Sequence, residues 1–182
     1  MKNVEELLSG ITVVERKGAA VSEVSGVESD SRQVKPGYLF VAVRGVSVDG
    51  HTFIPQAMAQ GAKVIVCEEF PTELNGEVSY IKVDDSAVAF GLLASAWYGN
   101  PSRELTLVGV TGTNGKTTTA TLLYEMFRSL GYKAGLLSTV CNYIDTVKVP
   151  ATHTTPDPLH LHRLLREMVD AGCQYAFMEV SS

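Results

Sequence analysis

Apolar and polar positions follow two rhythms along this chain: short runs of consecutive apolar residues, and longer stretches where they recur every three or four positions. The runs at 38–43, 64–67 and 80–83 are rich in Val, Ile and aromatic residues and read as buried strands. Between the first two, residues 54–60 have helical spacing and stop at Gly61, a residue suited to a helix C-terminus. Ser86 is placed to cap a further helix, with Ala89, Leu92, Leu93 and Ala96 on one face. The cluster Gly99-Asn100-Pro101-Ser102 breaks regular structure, and the domain join is expected there.

The pattern then restarts. The run at 105–110 is a strand, 111–116 a loop and 117–130 a helix, with Leu122, Leu123, Met126, Phe127 and Leu130 as its apolar face and Gly131 as its stop. A strand at 134–137 and a small hairpin at 143–149, turning near Asp145-Thr146, come next. Asp157 suits an N-cap and Pro158 the first helical position, with Leu161, Leu164, Leu165 and Met168 as the buried stripe and Gly172 as the stop. A last strand covers 175–180. Strands separated by helices imply parallel βαβ units, so the expected class is α/β with two domains, at 1–100 and 104–182. About three strands make a narrow sheet for a nucleotide-binding domain, so the second domain is expected to be cut short.

One segment carries specific chemistry. Thr111-Gly112-Thr113-Asn114-Gly115-Lys116-Thr117-Thr118 lies between a strand and an amphipathic helix, the setting that a phosphate-binding loop requires. Gly112 and Gly115 permit a tight turn that aims successive N–H groups at phosphate oxygens. The helix N-terminus adds about half a positive charge. Lys116 can bridge β- and γ-phosphates, and the Thr117 hydroxyl can ligate Mg²⁺. The strict Walker pattern fails at its first glycine, since position 110 is valine. Glu179, at the C-terminal end of a strand, stands where a second Mg²⁺ ligand belongs; a solvated strand end is the plain alternative.

Composition narrows the rest. Of the 182 residues 45% are hydrophobic, enough for packed cores, and the net charge of −5 disfavours nucleic-acid and anionic-membrane partners. Cys67, Cys141 and Cys173 fit no metal or redox spacing and read as reduced core residues. With no signal-peptide pattern and no run of ~20 apolar residues, a cytoplasmic location is expected; a monomer is the separate expectation for its assembly. His51 reads as a loop histidine, and His160 and His162 fall on different helix faces and cannot share a metal.

The run at 111–119 resembles the phosphate loop of the Mur ligases, a superfamily that includes folylpolyglutamate synthetase and tolerates a non-glycine at position 110. Asp30-Ser31-Arg32, the segment 36–42, Asp49-Gly50-His51-Thr52-Phe53-Ile54, Thr154-Thr155-Pro156-Asp157 and Met178-Glu179-Val180-Ser181-Ser182 together resemble the MurE type. The resemblance implies a small UDP-binding α/β domain followed by the start of a central ATPase domain. It implies that Gly112 to Thr118 hold ATP. It also implies that Ser29, Ser31 and the loop Val46, Ser47, Val48 contact the UDP part of a UDP-N-acetylmuramoyl-dipeptide. Thr154, Thr155 and Ser181 would reach the same substrate, with His153 where many members carry Asn. The implied reaction joins a diamino acid, meso-diaminopimelate or L-lysine, to the peptide through an acyl phosphate, using ATP and Mg²⁺. A MurF-type ligase and a non-catalytic phosphate-loop module are the competing readings. The resemblance places further parts of the active site beyond Ser182, so these 182 residues alone are expected to form no ligation product in a purified assay.

Overall fold

The computed structural model describes residues 1–45, 48–150 and 157–180. The chain forms two compact units, Met1–Trp97 and Tyr98–Ser182. Each is an α/β assembly with a five-stranded sheet that contains parallel strands, the class the sequence pattern predicts.

The first unit runs β1 (Lys2–Asn3), α1 (Val4–Leu8), β2 (Val13–Gly18), β3 (Glu23–Val24), β4 (Gly26–Glu28), β5 (Tyr38–Val41), α2 (Ile54–Ala59), β6 (Val64–Cys67), β7 (Ser79–Val83) and α3 (Ser86–Trp97). Its sheet has the order β2-β7-β6-β5-β4. The strands β4 to β7 pair in parallel, and β2 joins one edge antiparallel to β7. Every residue of β6 is fully buried, as a strand covered on both faces must be. Phe40, Ile65, Cys67 and Tyr80 of one face pack against Ile54 and Ala57 of α2. The edge strand β2 is mostly exposed and carries Glu15, Arg16 and Lys17. That charge blunts an open edge, and it also hides the strand from a search for apolar runs.

The cap of α3 differs from expectation. Asp85, not Ser86, accepts from the N–H groups of Ala87 and Val88, each at 2.9 Å. Ser86 is fully buried, and its hydroxyl donates to Glu68 Oε1 at 2.7 Å and accepts from the Arg44 N–H at 2.9 Å. A charged carboxylate one residue earlier makes the better cap and releases the hydroxyl for a tertiary bond. Phe90 faces inward and Leu92 lies 41% exposed, so the buried face of α3 is centred on Ala89, Phe90 and Leu93.

The second unit begins with a short 3-10 turn at Pro101–Arg103. It continues as β8 (Thr106–Val110), α4 (Lys116–Ser129), β9 (Ala134–Leu137), β10 (Asn142–Ile144), β11 (Val147–Val149), α5 (Pro158–Asp170) and β12 (Tyr175–Glu179). The sheet order is β11-β10-β9-β12-β8, with β9, β12 and β8 parallel and the β10–β11 hairpin antiparallel beyond them. The predicted hairpin is therefore present and widens the sheet from three strands to five. Its turn residue Asp145 takes a left-handed φ of 51°, tied down by Arg128 Nη1 at 2.6 Å, while its carbonyl accepts from the Tyr124 hydroxyl at 2.7 Å.

Helix α5 starts as predicted: Asp157 accepts from the His160 N–H at 3.0 Å and Pro158 follows. Leu164, Leu165 and Met168 pack with Leu137 and Ala176. Gly135 leaves room for that contact, since a Cβ there would meet Met168 Sδ at 2.3 Å and the thioether would have to move. On the other packing surface, Ala120 and Tyr124 of α4 meet Leu136 and Phe177, with Leu123 and Phe127 partly buried beside them. The face predicted for α4 is therefore rotated: Leu122, Met126 and Leu130 are 60%, 47% and 65% exposed. Ala120 lets the helix approach the sheet closely and the Tyr124–Asp145 bond fixes its rotation, so the 122/126/130 row turns outward. Cys67 and Cys173 are buried as expected, but Cys141 sits partly exposed in the turn before β10.

Candidate functional site

The loop between β8 and α4 is exposed, as a ligand-binding loop must be. Gly112 has φ 145° and Gly115 φ 80°, and Gly115 is the N-cap of α4. A Cβ at Gly115 would meet nothing within 4 Å, so the need for glycine there is torsional, not steric. No side chain caps α4, and its first turn holds no acidic residue. The first backbone bond at its start is Thr119 N–H to the Gly115 carbonyl at 2.8 Å. The amides of Lys116, Thr117 and Thr118 precede it and are the orphan donors of a helix start, which favour an anion. Lys116 Nζ donates across the loop to the Gly112 carbonyl at 2.6 Å, which holds the ammonium against the loop.

The strand order brings Glu179 to this loop. Because β12 lies between β8 and β9, Glu179 pairs with Val110, the last strand residue before the loop. The Thr117 hydroxyl donates to Glu179 Oε2 at 2.9 Å. Thr139, just past β9, adds two donors to the same oxygen, its N–H at 3.2 Å and its hydroxyl at 3.1 Å. Burial by itself would raise the Glu179 pKa; the Thr139 and Thr117 donors and the Lys116 charge outweigh it and leave the carboxyl below its ordinary value. A hydroxyl and a carboxylate are hard oxygen donors of the kind Mg²⁺ takes, so the pair fits the ion. Among the described residues no cluster of three or more His, Cys, Asp or Glu side chains could hold a metal by itself. Any ion here therefore needs further ligands from bound phosphate or water.

Sequence reasoning passed over Thr139. The signal was present, since it follows an apolar run at the C-terminal end of a parallel strand, where open α/β sheets gather their ligands.

In the first unit, Ser29 and Ser31 line a hollow of 390 Å³ with Asp30, Arg32, Phe53 and Gln56. Ser31 is buried and its hydroxyl donates to Gln56 Oε1 at 2.9 Å, so towards a ligand it can act only as an acceptor. The Ser29 N–H donates to Glu28 Oε1 at 2.9 Å. Arg32 grips both oxygens of Asp30, and this hydrogen bonding holds the Asp30 carboxyl down at about 2 despite some burial. Val48 is 57% exposed, and its carbonyl accepts from the Gly45 N–H at 3.1 Å. His51 is structural in the described geometry: Nε2 accepts from the Glu68 N–H at 2.9 Å, so Nδ1 carries the proton shared with Asp49 at 2.6 Å. Val46, Ser47, His153, Thr154, Thr155 and Ser181 lie outside the described residues.

Two family models match the chain: "Mur ligase family, catalytic domain" over residues 23–98 and "Mur ligase middle domain" over 110–182. The chain belongs to the Mur ligases, and its fold is of the α/β class. Within that family, the UDP-N-acetylmuramoyl-L-alanyl-D-glutamate–2,6-diaminopimelate ligase of Parabacteroides distasonis is 60% identical over 179 residues, which make up 98% of this chain and 37% of that one. A solved structure of a ligase of the same name superposes with a TM-score of 0.75 at 24% identity, covering 99% of this chain and 36% of that one, and so supports the fold. The MurF ligase of Thermotoga maritima in complex with ADP superposes less well, with a TM-score of 0.53 at 29% identity over 85% of this chain and 31% of that one. The chain thus spans about 37% of the length of the curated relatives it matches.

Proposed function

We propose that this chain supplies the UDP-substrate domain and the phosphate loop of an ATP-dependent ligase. The reaction would add 2,6-diaminopimelate to UDP-N-acetylmuramoyl-L-alanyl-D-glutamate in the cytoplasm, with the enzyme acting as a monomer. The observation that carries the reading is the convergence of Thr117 and Glu179 beneath a glycine loop that also presents Lys116. Diaminopimelate is preferred to L-lysine because the relatives that cover 98% of this chain are named for it. The lower similarity to the MurF structure weighs against that alternative.

Each role follows from a group in hand. Amides at 112–118, including those of Thr113, Asn114 and Thr118, would bind the nucleotide phosphates, and Lys116 would offset charge on the transferring phosphoryl group. Mg²⁺, held by Thr117 and Glu179, would supply Lewis-acid stabilisation of that charge. The hollow at Ser29 and Ser31, with the 46–48 loop, would take the UDP portion, and His153, Thr154, Thr155 and Ser181 would approach the muramoyl-peptide. Calorimetry with the UDP-muramoyl-dipeptide tests the substrate half. A Ser31→Trp change fills the hollow and is expected to weaken binding at least about tenfold, equivalent to ~1.4 kcal/mol. Equal affinity in the parent and the variant would remove Ser31 from the site.

A further inference from the structure

Resting on the phosphate-loop reading above, we infer that Thr139 is a positioning residue for the metal carboxylate, holding Glu179 by one oxygen so that the other faces the divalent cation. Among the described residues, the three donors to Glu179 all fall on Oε2: the Thr117 hydroxyl at 2.9 Å, the Thr139 hydroxyl at 3.1 Å and the Thr139 N–H at 3.2 Å. A carboxylate has about four lone-pair positions over its two oxygens, so crowding three donors onto one fixes the plane of the group. It leaves Oε1 with no hydrogen-bond donor among the described residues. Of the three donors only Thr117 belongs to the loop itself. Its oxygen would have a second task, a lone pair offered to the same cation, whereas among the described residues the Thr139 hydroxyl bonds only to the carboxylate.

Thr139 is itself held from behind. The Ser138 N–H donates to Asn142 Oδ1 at 3.1 Å, and the Ser138 hydroxyl donates to the Cys141 carbonyl at 2.7 Å. The Cys141 N–H returns to Ser138 Oγ at 3.2 Å. Ser138 and Asn142 are both buried, so the two ends of this turn are anchored in the unit, while Val140 at its tip is exposed. Parallel pairing of β9 with β12, with Met178 opposite Leu137, brings the two strand ends side by side. The arrangement is a pre-set support for a carboxylate, the kind of outer contact that orients a metal ligand and tunes its affinity.

The test compares ATP binding to the chain by calorimetry, in Mg²⁺ and in EDTA, for the parent, Thr139→Val and Thr139→Ser. Valine keeps the shape and the backbone N–H and removes only the hydroxyl. In Mg²⁺ the valine variant is expected to bind about tenfold more weakly, the size of a hydrogen bond to a charged group. In EDTA the two should agree within about twofold, because the amide cradle is untouched. Serine should restore most of the Mg²⁺-dependent affinity, which a purely structural role for the side chain would not produce. Valine binding with the parent's Mg²⁺ dependence, or losing affinity equally in EDTA, overturns this inference alone. No binding by the parent in either condition overturns the phosphate-loop reading, and this inference with it.

Discussion

Lys116→Ala is expected to lower the affinity of the chain for ATP by at least about a hundredfold, the largest functional effect of any single change considered. The ammonium is the positive charge that the loop itself supplies, held across it by its bond to the Gly112 carbonyl. A hydrogen bond to a charged group is worth about 1.5–3 kcal/mol, and a terminal phosphate offers the ammonium more than one oxygen. At ~1.4 kcal/mol for each factor of ten, the upper part of that range gives the hundredfold. The fold should survive, because Lys116 makes no core contact and alanine is a better helix former at the start of α4. Calorimetry on parent and variant measures the ratio, and circular dichroism checks that the variant is folded. Undiminished binding by a folded variant would show that the phosphates do not lie in this loop.

Leu164→Ala is expected to cost the second unit about 2–5 kcal/mol, the usual toll for emptying a fully buried leucine site. Leu164 is 0% exposed and lies in the cluster formed by Leu165, Met168, Leu137 and Ala176, where α5 meets the sheet. Closure of the site is opposed because Met168 already packs into the space left by the missing Cβ of Gly135. Such a loss approaches the whole stability of a small unit. It should appear as faster amide exchange throughout β9, β12 and α5. Protection within about 0.5 kcal/mol of the parent in those elements would contradict the packing described. Since Glu179 ends β12 and Thr139 follows β9, the same variant should also loosen the support under the metal carboxylate.

Some of this was legible without a fold. The strands at 64–67 and 134–137 fall where the apolar runs predict, because a strand covered on both faces must be apolar at every position. Asp157 and Pro158 mark the start of α5, and Gly61, Gly131 and Gly172 each take a positive φ near a helix end, because these signals act within a few residues. The short elements ahead of β5 escaped notice. They are two to six residues long, and β2 is a charged edge with little apolar surface to show. The two differences have separate causes: Asp85, one residue before Ser86, is the stronger cap, whereas the rotation of α4 depends on Asp145, distant in sequence from Tyr124.

The amino-acid order alone determined the alternation of strand and helix, the glycine-lysine-threonine loop and the helix start behind it. All of these depend on torsions and hydrogen bonds within one turn of chain. Tertiary structure alone decided that β12 inserts between β8 and β9, and this placement sets Glu179 beside Thr117 and Thr139. Strand order is settled by which faces can be buried together, a property of the whole unit. For that reason the strand-end position of Glu179 could suggest a shared metal with Thr117, 62 positions earlier, but not the direct contact or the part of Thr139.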